Sequence, residues 1–364
     1  MNKDLTTKKK GFFRGENSTV LLIFVGFVAA VVVLQLIASG GGEYPAMISP
    51  ANLTNIVMQV AAIGIMAMGM TLIMISGGID LSVGMLTSFV VLFIAKSFRD
   101  WSFPLAAAII VAILLAVLFE TGMGFVISRL GVEPFIITLG GQIAFRGIAL
   151  LIVNSQEISM SGALDGLKNT VVPGLKDPTS GLNLNIPPYI FIFIAIVIVI
   201  WWVLKYTKYG RRIYAVGANP QAAYLAGINV KNVQLSTYSL NGLLVGIGAV
   251  CLLARVNTAI ITTGANLEID VIAAVVVGGV AMSGGKGNAW GVFIGALLMG
   301  AIANGMNILR LQAEWQFVAK GLIIIAAVSA GALTDKIQAR RQVRQQNIAS
   351  GRQDAQEPRS GQGE

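Results

Sequence analysis

The 364-residue chain contains no histidine and a single cysteine, Cys251. Without histidine there is no imidazole general acid or base, no Ser-His-Asp triad and no histidine-ligated metal. With one cysteine, set in an apolar run, there is neither a disulfide framework nor a thiolate cluster. Charge is also scarce. Charged residues make up 12% of the chain, where soluble domains carry roughly 25%. The balance is basic, at +9, and need not imply a nucleic-acid partner, because the orientation rule for membrane helices produces the same excess. No cleavable leader is recognised. The first apolar run, Val20 to Ala38, is long enough to span a membrane and lacks a small-x-small exit.

What is abundant is apolar sequence. Hydrophobic residues make up 55% of the chain, in runs near twenty residues that recur along its length. That pattern predicts an all-α, polytopic helical membrane protein. About ten spans are expected, over roughly 19–38, 55–75, 81–98, 103–127, 134–153, 188–205, 233–253, 269–283, 289–309 and 317–334. The polar basic tail 1–18 and the polar tail 335–364 flank this 19–334 domain. Most lysines and arginines fall in the two tails, at Arg129, between Lys205 and Lys231, and at Lys286. Lys96, Arg99, Lys168, Lys176, Arg255 and Arg310 occupy the alternate segments. The positive-inside rule then places both termini and the 206–232 segment in the cytoplasm and the 154–187 segment outside. Segments of that length in compact folds are usually functional.

The segment "GANPQAAYLAGINVK" carries the strongest helix punctuation outside the spans. Asn219 suits an N-cap, Pro220 the first helical position and Gly227 the position just past the end. A helix from Pro220 to Ala226 is marginal alone in water and is expected to dock into something. "GGVAMSGGKGN" (Gly279–Asn288) fails as a phosphate loop: Val280 stands where the pattern needs Gly, and Gly287 where it needs Ser or Thr. It reads instead as a glycine-rich hinge that lets helix backbones approach. Neither a catalytic residue nor a cofactor or metal site is identified.

Polar residues inside the spans are the remaining candidates. In "ISGGIDLSVGM", Gly77 and Gly78 could interrupt a helix, and Asp80 could cap the next one by accepting from the amides of Ser82 or Val83, or belong to a gate with Ser82 and Gly84. "GGIDLSVG" and "LEIDVIAAVVVGG" share Ile-Asp at opposite ends of their spans, the arrangement an inverted repeat would give. Glu120 lies within the fourth span and is a candidate partner for Arg146. Gln59, Gln142, Asn241 and Asn304 are candidates to line a translocation path, and interhelical hydrogen bonding would explain them equally well.

"NPQAAYLAG" resembles the Glu-Ala-Ala-x-x-x-Gly coupling motif of ABC importer permeases, with Ala222, Ala223 and Gly227 at the matching positions and Gln221 where Glu is usual. "GRRIYAVGANPQAAYLAGINV", "GGIDLSVG", "EPFIITLGG" with "FRGIAL", "EIDVIAAVVVGGVAMSGGKG" and "EWQFVAKGLIIIAAV" are similar, in order, to segments of the monosaccharide permease family. The resemblance implies the membrane subunit of a sugar importer in a bacterial inner membrane. Its partners would be a second permease subunit, an external sugar-binding protein, and cytoplasmic ATPase subunits that hold ATP and Mg²⁺. It makes Asn219, Pro220, Gln221, Ala222, Ala223 and Gly227 the coupling helix. Importers of nucleosides or other small polar solutes, and more remotely an ion-coupled carrier, are the alternatives. Gln221 lacks the charge of Glu, and Met123 stands where many relatives have a polar residue, so the subtype is not fixed by these motifs.

Overall fold

The computed structural model describes residues 49–153, 156–169, 184–312 and 314–329, with isolated positions at 25, 26, 28, 29, 32, 33 and 176. Most of the first expected span, both tails and much of the 154–187 segment lie outside the described residues. In order the helices are α1 (Pro50–Ile75), α2 (Val83–Arg99), α3 (Leu105–Leu130), α4 (Pro134–Val153), α5 (Asp165–Lys168), α6 (Pro188–Tyr206), α7 (Lys208–Ala218), α8 (Pro220–Leu225), α9 (Val230–Val256), α10 (Leu267–Val277) and α11 (Ala289–Ile308). A last helix, α12, covers 314–329. Strands β1 (Ile158–Ser159) and β2 (Thr258–Ala259) pair antiparallel, Ile158 opposite Ala259.

Six of the described helices are long and apolar enough to cross a membrane: α1, α3, α4, α6, α9 and α11. Two expected spans come out shorter. Helix α2 has 17 residues, and the 269–283 span becomes the 11-residue α10, preceded by a 3-10 turn over Ile261–Gly264. At 1.5 Å per residue α10 reaches only about 16 Å, roughly half the hydrocarbon core. The shortening has a local cause: the helix starts two residues early but stops at Val277, where Gly279 turns left-handed at φ +84°.

Helices α1 and α9 form the buried centre, and α3, α4 and α6 lie outside them with most of their surface exposed. The contact of α9 with α3 follows from small side chains. Gly242 and Gly246 on α9 face α3 so closely that a Cβ on Gly242 would crowd the Ala116 carbonyl, and Ala108, Ala112 and Ala116 are fully buried. Lipid gives helices no hydrophobic reason to associate, so close backbone approach supplies the dispersion energy.

Helix α1 begins at Ser49, whose Oγ accepts from the Asn52 amide, with Pro50 at the first position. It ends where Gly77 turns left-handed at φ +91°, with Gly77 N–H donating to Met74 O and Gly78 N–H to Ile73 O. This double bond satisfies carbonyls left over at the helix end, and Gly makes the turn without a Cβ penalty. Helix α10 ends in the same pattern, Gly279 N–H to Val276 O and Val280 N–H to Val275 O.

Candidate functional site

The segment after α6 contains two helices. Thr207 caps α7, its Oγ1 accepting from the Gly210 amide. Ile213 and Val216 are buried while Lys208, Arg211 and Arg212 are exposed, so α7 is amphipathic and lies on the bundle's end. Helix α8 follows at once. Asn219 Oδ1 accepts from Ala222 N–H at 3.0 Å, Pro220 takes the first position, and Gly227 turns left-handed at φ +79° after the last turn. The expected caps are therefore in place, and the helix is one residue shorter than expected. Its faces differ. Ala223 is buried against the chain's own core, whereas Gln221 and Ala222 are exposed, and Tyr224 and Leu225 are 72% and 84% exposed. A groove of about 1000 Å³ runs beside α8, between the α3–α4 turn and the start of α9, lined among others by Arg129, Glu133, Gln221, Tyr224 and Lys231.

Helix α7 ties this end to the interior. The Gly285 amide donates to Ile75 O at 2.8 Å, and a Cβ added to Gly217 would overlap that same carbonyl. Gly284 and Gly285 lie against Gly217 and Ala218, and Tyr214 Oη donates to Gly287 O at 2.8 Å. The glycine-rich stretch 279–288 thus allows three backbones to meet: the end of α1, the end of α7 and the α10–α11 connection.

Beyond Gly77 and Gly78 the chain enters a polar cluster sealed from solvent. Asp80 is 0% exposed. Its Oδ1 accepts from Ser82 N–H and from Ser82 Oγ, both at 2.8 Å, and its Oδ2 accepts from Asn241 Nδ2 at 2.7 Å. Ser82 Oγ also stands 3.2 Å from Glu120 Oε1, and Tyr238 Oη donates to Ile79 O at 3.1 Å. Ser82, not Asp80, is the N-cap residue of α2; Asp80 acts two positions earlier by closing a turn onto the Ser82 amide. Asp80, Ser82, Glu120 and Asn241 together join the α1–α2 break to α3 and α9. Glu120 does not meet Arg146, which is exposed on α4. The two carboxylates are too enclosed to meet a substrate, and their chemistry here is that of a hydrogen-bonded joint.

The path candidates are dispersed. Gln59 is half-buried, and its carbonyl accepts from Arg255 Nη1. Asn241 belongs to the sealed cluster. Asn304 is buried on α11. Gln142, half-buried on α4, donates from Nε2 to Glu268 Oε1 at 2.8 Å. Gly84, in the first turn of α2, packs against Gly264 and the Glu268 carboxylate. Glu268 escaped the sequence reading as a site residue because its partners are distant in the chain, although an acid opening an apolar run was a usable signal.

The sequence profile of the family described as "Branched-chain amino acid transport system / permease component" matches residues 52–328. The chain is 35% identical over 305 residues to the ribose import permease protein RbsC of Bacillus subtilis, covering 84% of this chain and 90% of that one. It is 34% identical over 298 residues to RbsC of Escherichia coli K12, covering 82% and 91%. It is 30% identical over 364 aligned positions to the xylose transport system permease protein XylH of Haemophilus influenzae, covering 85% and 96%. No solved structure matches. A bundle of membrane-length helices around broken ones, a capped helix exposed at one end, and a match across nearly all of the described bundle agree with one another: the chain belongs to this family of transport-system permease components.

Proposed function

We propose that the chain is the membrane-spanning subunit of a binding-protein-dependent importer of a monosaccharide. The observation that carries the reading is α8: a short capped helix that buries Ala223 against its own bundle and presents Tyr224 and Leu225 outward. Exposed apolar side chains rimmed by polar ones mark a protein contact. The partner is an ATPase subunit, which holds ATP and Mg²⁺, and the groove beside α8 extends its seat. Helix α8 and both termini face the cytoplasm. A sugar-binding protein docks on the opposite face, where β1 and β2 pair, and a second copy of the chain completes the path. The whole sits in a bacterial inner membrane.

The contacts suggest how a push on α8 travels. It is continuous with α7, whose Gly217 rests on the Ile75 carbonyl and beside Gly285. Displacing α7 therefore displaces the ends of α1 and α10 together. The α1 end is tied through Asp80 to α3 and α9, so the motion reaches the first turn of α2 as a rigid-body shift.

A monosaccharide is preferred to a branched-chain amino acid because RbsC and XylH, the relatives named above, carry ribose and xylose in their names. Nucleosides and other small polar solutes are the second reading. The acids on which the sequence would base an ion-coupled carrier, Asp80 and Glu120, are sealed. The test is uptake of labelled ribose, xylose and galactose by cells with and without the chain. Uptake of all three that is the same with and without the chain would overturn the monosaccharide reading.

A further inference from the structure

The outer surface of the bundle is of two kinds. On α3 and α6 the exposed mid-helix side chains are large and apolar, for example Leu114 and Leu118, and Ile194 and Ile198. Such faces suit lipid. The surface made by α4, the first turn of α10 and α12 sets polar groups among apolar ones such as Ile143, Leu322 and Ile325. Gln142 stands near the middle of the 20-residue α4, and Arg146 lies one turn further on the same face, exposed. Lys320, near the middle of α12, pairs with Asp270 Oδ1 at 2.6 Å, and both side chains keep about a fifth of their surface exposed.

Helix geometry shows how these groups are arranged. Successive residues of α10 turn by about 100°. Glu268 and Asp270 therefore flank Ile269, which is 42% exposed between them. On one flank Glu268 Oε1 takes the Gln142 hydrogen bond, and its buried Oε2 accepts none. On the other, Asp270 holds Lys320. Helices α4 and α12 therefore stand on either side of the exposed Ile269. Because α10 extends only about 16 Å from the joint at Gly278, its first turn lies near the middle of the hydrocarbon. Ionisable groups at that depth face a bundle interior or water, not lipid. In carriers, discontinuous helices whose ends meet near the midplane frame the solute site, and the first turn of α2 meets the start of α10 here at Gly84 and Gly264.

We infer that the strip between α4 and α12 forms a water-filled groove and is the point at which a polyhydroxylated solute touches the subunit in transit. Gln142, Asp270 and Lys320 are its pairing groups, and the buried Glu268 holds the Gln142 amide in place. The carboxylate accepts from adjacent hydroxyls, the lysine donates to hydroxyl and ring oxygens, and the amide does both. Asp270 and Lys320 cancel in charge, which suits a neutral solute that must also leave. The inference rests on the transport reading above and adds the residues that carry it out.

The test uses the complete importer in membrane vesicles, in a Cys251→Ala parent, with a small hydrophilic methanethiosulfonate reagent. Ile269→Cys is expected to label, Leu118→Cys on the lipid-facing side of α3 is not, and the transported sugar during turnover should suppress labelling at 269. Gln142→Cys is the second reporter should the first variant fail to insert. In a parent that takes up sugar, absence of labelling at both 269 and 142, or labelling that sugar leaves unchanged, overturns the groove alone. A parent without sugar uptake overturns the transport reading, and the proposal with it.

Discussion

Asp80 Oδ2 accepts a hydrogen bond from Asn241 Nδ2 at 2.7 Å, joining the break after α1 to the middle of α9 across 161 positions of sequence. The bond is fully buried. Removing one partner strands the other, at about 1–3 kcal/mol. Asp80→Asn keeps an acceptor for the Ser82 amide and is expected to be milder than Asp80→Leu in both thermal stability and uptake. A double-mutant cycle with Asn241→Ala should give a coupling of at least about 0.5 kcal/mol. If Asp80→Asn inserts normally, binds its ATPase and is inactive, the carboxylate has a role beyond this joint.

Gly217→Ala tests the joint between α7 and α1. A methyl group there overlaps the Ile75 carbonyl, so one of the two backbones must move, at about 1–3 kcal/mol. Uptake should fall sharply. Gly122→Ala on α3, where nothing lies within 4 Å of the new Cβ, should leave uptake and melting temperature unchanged. Equal behaviour of the two variants would refute the joint.

Helix α8 separates docking from folding. Leu225→Asp places a charge on an exposed apolar contact, and should abolish co-purification of the ATPase without reducing membrane insertion. Ala223→Asp buries that charge in the chain's own core and should lower the amount of inserted protein. Gly227→Ala forces an L side chain to φ +79°, a strain of about 1–2 kcal/mol, and should weaken both. Intact co-purification with Leu225→Asp would remove α8 from the ATPase contact.

Sidedness is read with single cysteines in the Cys251→Ala background. Position 165 should label with an impermeant reagent from outside, and position 218 only after permeabilisation; both are exposed in the structure. Labelling at 218 in intact cells would reverse the orientation and the coupling assignment together.

The sequence made α8 legible because its signals are local. Asn219, Pro220 and Gly227 each act on their own backbone, and each does so in the structure. The break at Gly77 was legible for the same reason. Helix α7 was not, because its apolar residues Ile213 and Val216 are few and become a face only when α1 and the 279–288 stretch supply something to cover. Periodicity also overestimated the 269–283 span, since the apolar run continues through Val280 and Ala281 although Gly279 has already turned the chain out of the helix. The meeting of Asp80 with Glu120 and Asn241 was beyond reach: hydrogen bonds between distant residues leave no periodic trace. Gln142 was placed on the path by polarity alone, and its partner Glu268 by nothing but the fold.

The two short helices impose an order on biogenesis. A helix that starts inside the bundle leaves free amides at a depth where lipid offers them no acceptor, so it needs protein around that end. The first turn of α2 finds that cover in Gly264 and Glu268, which leave the ribosome long after α2 has entered the membrane. The early half of the chain must therefore wait, incomplete, for the late half. A chain stopped after α6 is expected to be cleared by proteases, and co-expression of the missing half as a separate polypeptide should restore its abundance. Accumulation of the truncated chain alone would show that α2 does not depend on this cover.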